Sequence, residues 1–185
     1  MACADLLPVI RRIPREAPAV VDSADSRIAE DANMKIGKYY LNLAGEYRIC
    51  AELLKRHIFA TVTCGNMKGA DIFAIGPNRR AAVVEVKASN SSRFVTKFYQ
   101  RYKSRDVEHP NFWVLYSVTP RDRFFVLSHE QLADVQAQRN HPGEDLSYDE
   151  RAKRVEHGVD NVLIRDVEAH EDAWAKIIDW CSVTV

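Results

Sequence analysis

Gly69-Ala70-Asp71-Ile72-Phe73-Ala74-Ile75, a tight turn at Gly76-Pro77-Asn78, and Ala81-Ala82-Val83-Val84-Glu85-Val86-Lys87 form the stretch that decides the fold. Both runs are short, apolar and bounded by turn residues, which is the pattern of β-strands. A link this short joins antiparallel neighbours. Residues i and i+2 of a strand share a face, so Glu85 and Lys87 project together while Val84 and Val86 take the other side. Charge on so apolar a strand is costly to bury unless it is paired or binds a cation. Asp71, Glu85 and Lys87, carried on two adjacent strands, therefore mark a candidate site.

Working outward, Ile58–Thr63 reads as a further strand, joined to the quoted stretch by the turn-rich Cys64–Gly69. A helix is expected before it, starting at Ser26 or Asn33 and ending at Arg56. Tyr40, Leu43, Ala44, Tyr47, Ala51 and Leu54 recur there at three- and four-residue steps and read as its core face, with Glu46 on the flank. Downstream, Asn90-Ser91-Ser92 offers helix caps, and the spacing predicts a helix over 93–105. Its apolar stripe is Phe94, Val95, Phe98, Tyr99 and Tyr102; its polar side is Arg93, Lys97, Gln100, Arg101 and Ser104. Phe112–Val118 and Arg123–Leu127 read as strands. Ser128-His129-Glu130-Gln131 has the form of a capping box, opening a helix to about Arg139. Residues 140–160 read as an insertion or loop with one helical turn. Val162–Arg165 reads as a short strand, and Glu171–Trp180 as a closing helix with Trp174, Ile177, Ile178 and Cys181 inward. Residues 1–26 hold three prolines and no sustained period, and are read as an N-terminal arm, disordered in part. Residues 27–185 are read as a single domain.

The 185 residues suffice for one domain with a proper core, and 46% hydrophobic with 28% charged residues is a globular composition. A formal net charge of zero argues against coating nucleic acid through overall charge, but leaves room for a local patch. Such a patch is present: from Lys87 to Arg105 the chain carries six basic residues and no acidic one. Cys3, Cys50, Cys64 and Cys181 show no zinc-module spacing, and Cys50 and Cys64 read as reduced core thiols. The histidines lack HxH or HExxH spacing, and no P-loop, GxGxxG or GxSxG occurs. No apolar run approaches the ~18 residues of a membrane span. Arg11 and Arg12 follow the apolar Leu6–Ile10 rather than precede it, unlike a secretory signal. The expectation is a cytoplasmic protein without a membrane partner.

The Asp71 … Glu85-x-Lys87 pattern, following an amphipathic helix, resembles the PD-(D/E)xK nuclease superfamily, which includes type II restriction enzymes and Holliday-junction resolvases. The likeness spans about residues 36–118. It implies an α/β domain with a restriction-endonuclease-like core, a mixed β-sheet flanked by helices. It implies a catalytic set of Glu46, Asp71, Glu85 and Lys87. It also implies Mg²⁺, with Mn²⁺ as a substitute, held by Asp71, Glu85, Glu46 and the Val86 carbonyl. Lys87 would stand beside the attacking water, to orient it, to offset transition-state charge or to act as base. On this resemblance the protein is a Mg²⁺-dependent endodeoxyribonuclease hydrolysing phosphodiester bonds. DNA is its partner, with Arg93, Lys97, Gln100 and Arg101 as backbone contacts. One site cuts one strand, so double-strand cleavage would need a homodimer. Because fold does not fix function, two alternatives stand beside it. One is a non-catalytic nucleic-acid-binding or protein-interaction module; the other is a nuclease acting on RNA.

Overall fold

The structure, a computed structural model, describes residues 37–63, 69–104, 106–155 and 160–183. The predicted arm, the start of the first helix, most of the Cys64–Gly69 link and Cys64 itself lie outside the described residues. In chain order the elements are α1 (Lys38–Lys55), β1 (Phe59–Val62), β2 (Ile72–Ile75), β3 (Ala81–Ser89), β4 (Arg93–Val95) and α2 (Phe98–Arg101). They continue with β5 (Phe112–Ser117), β6 (Arg123–Ser128), α3 (His129–Asn140), α4 (Tyr148–Val155), β7 (Asn161–Leu163), α5 (Ile164–Val167) and α6 (Ala175–Ser182). The main sheet runs β1-β2-β3-β5-β6. The two short links make β1, β2 and β3 antiparallel, as the sequence implied. The connection from β3 to β5 is long and returns the chain parallel to β3, and β6 closes the sheet antiparallel to β5. This is the expected mixed sheet flanked by helices.

Period-two alternation divides the apolar residues between two cores. Ala82, Val84, Val86, Phe112, Val114, Tyr116, Phe124 and Val126 face α1 and α6, meeting Ile49, Leu53, Ile177 and Cys181. Trp113, Leu115, Phe125 and Leu127 take the opposite face, with Phe98 and Tyr99 of α2, Leu132 of α3 and Ala152 of α4. β5 is buried along its whole length because helices cover both of its faces. The capping box at Ser128 forms as expected. The Ser128 hydroxyl accepts from the Gln131 N–H at 3.1 Å, and Gln131 Oε1 accepts from the Ser128 N–H at 3.0 Å.

Three expectations are corrected. The first concerns the face of α1. Tyr40, Tyr47 and Leu54 are 69%, 61% and 50% exposed, and the buried face is Leu41, Gly45, Ile49 and Leu53. Two stripes compete on this helix, and the one with the smaller residue docks. A Cβ built on Gly45 would come within 2.9 Å of the Ala88 Cβ, so the missing side chain lets α1 lie directly on β3.

The second correction concerns residues 93–105, which are not one helix. Arg93–Val95 is β4, drawn into a two-stranded ladder with Asn161–Leu163. Lys97 is left-handed, with φ 52°, and only Phe98–Arg101 is helical. The cause is a buried polar knot supplied from far along the chain. The Thr96 hydroxyl contacts Gln136 Oε1 at 2.9 Å and Asp160 Oδ1 at 3.2 Å. The Asp160 carbonyl accepts from the Thr96 and Lys97 N–H groups. The third correction lies nearby. Residues 148–155 form a full helix of eight residues, and the strand predicted at Val162–Arg165 ends at Leu163, where α5 begins.

Candidate active site

The site forms where β3 loses one neighbour. β2 pairs with β3 only from Ala81 to Val84, and from Glu85 to Ser89 the ladder continues with β5 alone. The Asp71 N–H, just before β2, donates the last main-chain bond, to the Val84 carbonyl at 3.0 Å. The next N–H of β3 on that edge, that of Val86, donates to the Asp71 side chain instead, reaching Oδ2 at 2.7 Å. Gly69, with φ +85°, supplies the turn that brings Asp71 there.

Glu85 and Lys87 share a face, as the strand period requires. Glu85 is 2% exposed. The Lys87 ammonium donates to Glu85 Oε1 at 2.5 Å and to the Val86 carbonyl at 3.1 Å, and lies 5.6 Å from the Trp113 ring centre. Arg101 Nη1 donates to the same Glu85 oxygen. The buried carboxylate thus has two cations on Oε1. Its other oxygen, Oε2, is buried and has no hydrogen-bond partner among the described residues.

The electrostatics tie Glu46 to this group. Burial pushes the Asp71 carboxyl up, and the nearby Glu85 pushes it further; the Val86 N–H, Lys87 and Arg101 pull it back. The Glu46 carboxyl is also raised, first by burial and then by Asp71, with Glu85 adding to it and Lys87 opposing. A carboxylate raised by burial and by neighbouring carboxylates in this way is relieved by a cation. Among the described residues no three His, Cys, Asp or Glu side chains converge into a ready cation cage. Mg²⁺ keeps several waters and needs only one or two carboxylates, so Asp71 and the unpartnered Glu85 Oε2 fit it as donors, with Glu46 at the margin.

A cleft of about 340 Å³ opens beside the carboxylates. Lys38 and Asn42 of α1, Lys87 of β3, Arg93 of β4, Lys97 and Arg101 all line it, and among the described residues no acidic one does. The predicted basic residues Arg93, Lys97 and Arg101 are therefore brought together, although they share no helical face. Gln100 is exposed on α2 and is not among the lining residues; its N–H donates to Asp160 Oδ2 at 3.1 Å. Lys38 and Asn42 were missed in the sequence reading. The signal for them was their four-residue spacing with Glu46, which puts all three on one side of α1. Tyr102 was also missed: it reads as core, yet its buried hydroxyl has no partner among the described residues.

A second cavity, of about 350 Å³, is lined by His109, His129, Glu130, Ala133, Asp134 and Tyr148. Its His129 is a packing residue. Nδ1 accepts from Trp113 Nε1 at 3.2 Å, and burial, aided by His109, holds its pKa down to about 3.

No family model matches the chain, and no curated protein does. Among solved structures, a bacterial homing endonuclease, I-Ssp6803I, is similar with a TM-score of 0.47 and 10% sequence identity, over 78% of this chain and 94% of that chain. No residue of this chain takes a role from that likeness. Among the described residues no helix is long and apolar enough to cross a membrane.

Proposed function

We propose that the protein is a metal-dependent nuclease that hydrolyses phosphodiester bonds of DNA. One observation carries this reading: Asp71, Glu85 and Lys87 meet at the open edge of β3, beside a cleft whose described lining residues are cationic or neutral. A polyanion is what such a cleft attracts, and its phosphates would reach the carboxylates at Lys87. Asp71 and Glu85 would hold Mg²⁺, with Glu46 and the Val86 carbonyl as further oxygen donors. When bound, the ion would neutralise phosphate charge and activate water. Lys87 places an ammonium between Glu85 and the cleft, where it offsets negative charge developing on the phosphate. Arg93, Lys97 and Lys38 hold the backbone on either side. Arg101 acts chiefly on Glu85, by holding the buried carboxylate in place.

A specific observation supports a second reading, a non-catalytic nucleic-acid-binding module. Glu85 already carries two internal cations, and no three-carboxylate cage converges among the described residues. One experiment decides between the two. Supercoiled plasmid, linear duplex, single-stranded DNA and RNA are incubated with the protein, with and without Mg²⁺ or Mn²⁺. Metal-dependent cleavage of DNA is expected. Binding without cleavage under every condition would favour the second reading, and cleavage confined to RNA would change the substrate.

A further inference from the structure

Among the described residues, two buried polar atoms of the site lack any partner, and their chemistry is complementary. Glu85 Oε2 is an acceptor without a donor, and the Tyr102 hydroxyl is a donor without an acceptor. Tyr102 is 3% exposed. Its ring is fixed by Phe98, Trp113 and His129, with centroids 5.6, 5.9 and 4.9 Å away. The hydroxyl lies under the turn that leads into Asp71: a Cβ on Gly69 would stand 3.2 Å from it and 3.7 Å from Arg101 Nη2. Burial raises the phenol to about 12, with Glu85 adding to the effect, so the hydroxyl keeps its proton and remains a donor at any working pH.

Buried polar groups without partners are rare, and an ordered water is the usual answer. Here the Glu85 charge acts on the Tyr102 hydroxyl, and the two atoms do not bond each other. The missing species must accept from a phenol and donate to a carboxylate. A phosphate diester oxygen carries no proton to donate, and a cation held on one lone pair of Oε2 would leave the phenol still needing an acceptor. Water does both.

We infer that Tyr102 and Glu85 hold one water molecule between Oη and Oε2, which makes Tyr102 a positioning residue of the site. The water follows from the two unpartnered atoms alone; its catalytic role rests on the nuclease reading.

The test uses crystals of the full chain grown without divalent cations, for wild type and Tyr102→Phe, a change that keeps the packed ring. A water within about 2.5–3.0 Å of both atoms is expected in wild type, and its loss in the variant. A Tyr102 hydroxyl bonded to a protein atom, or a dry gap, would overturn the inference. In solution, Tyr102→Phe should retain the cooperative thermal transition and lower kcat at least tenfold with KM unchanged, a split that a packing role alone would not produce. An unchanged kcat would end the positioning role. A wild type that cleaves nothing would sink the nuclease reading and leave the crystallographic result to decide the water.

Discussion

The two halves of β3 have different neighbours and different chemistry. From Ala81 to Val84, the enclosed half, the strand pairs with β2, and β5 joins its other edge at Val84; no side chain there is charged. From Glu85 to Ser89 one edge is open. There Asp71 has replaced a strand as the partner of Val86, and Glu85 and Lys87 lie beside the basic cleft. The lesson is that one continuous strand can anchor a sheet and present a site, provided its neighbour stops early. The enclosed half fixes where the open half points.

The comparison predicts opposite responses to mutation. Lys87→Ala, in the open half, should slow cleavage by about 10²–10³-fold, as loss of one group that stabilises developing charge does. Oligonucleotide binding should change only a few-fold. Val84→Ala, in the enclosed half, should instead cost about 2–4 kcal/mol of stability and leave kcat alone. Single-turnover cleavage and urea unfolding measure the two. A Lys87→Ala protein that cuts at the wild-type rate would remove the open edge from the chemistry.

Gly45 connects the halves, because it lets α1 lie on β3 and carries Glu46 to the carboxylates. Gly45→Ala would drive a methyl group to 2.9 Å from the Ala88 Cβ. Overpacking of this kind costs about 1–3 kcal/mol, against a helix-propensity gain of about 1 kcal/mol. Net destabilisation by about 1 kcal/mol is expected in thermal unfolding. A variant more stable than wild type would mean that α1 does not depend on this close approach.

The pH response separates the halves again. The Asp71 carboxyl is raised in the folded protein, mainly by burial and by Glu85. A raised acid binds protons more readily when folded, so folding stability falls as pH rises through the window above the ordinary value of 3.8. Asp71→Asn removes that charge and keeps a side-chain oxygen for the Val86 N–H. It should therefore raise Tm at neutral pH, and the gain should vanish as pH falls below about 4. It should also abolish Mn²⁺ binding in calorimetry, if wild type shows it. A Tm gain that is the same at pH 4 and pH 7 would show that the charge is not the cause.

The contrast also explains what the sequence made legible. The strand pattern, the antiparallel links, the capping box and the shared face of Glu85 and Lys87 are all local, and local periodicity read them correctly. The segment 93–101 was misread because Gln136 and Asp160 decide it, 40 and 64 residues beyond Thr96. An amphipathic pattern cannot foresee a ladder with β7. On α1 the sequence held two apolar stripes, and the larger side chains misled, because a helix lying flat on a strand selects the stripe containing glycine. Arg93, Lys97 and Arg101 nonetheless border one cleft. Their clustering in sequence survived the wrong secondary structure.

The smallest effect tests that cleft. A phosphate contact releases about one counterion, worth about 0.9 units of log–log salt slope on duplex DNA. Arg93 and Lys97 line the cleft without an ion-pair partner among the described residues, so their charge is available to phosphate. Arg101 lines it too, but its guanidinium is bound to Glu85. The three cations are therefore unequal, although sequence spacing treats them alike. Arg93→Gln with Lys97→Gln should flatten the salt slope by at most about two units, and weaken every DNA sequence alike. Arg101→Gln should leave the slope nearly unchanged and slow cleavage instead, because Glu85 then keeps only Lys87 on its paired oxygen. Equal slope losses for the three would mean that Arg101 leaves Glu85 when nucleic acid arrives. In that event the open half of β3 would be rearranged by its ligand rather than built in advance.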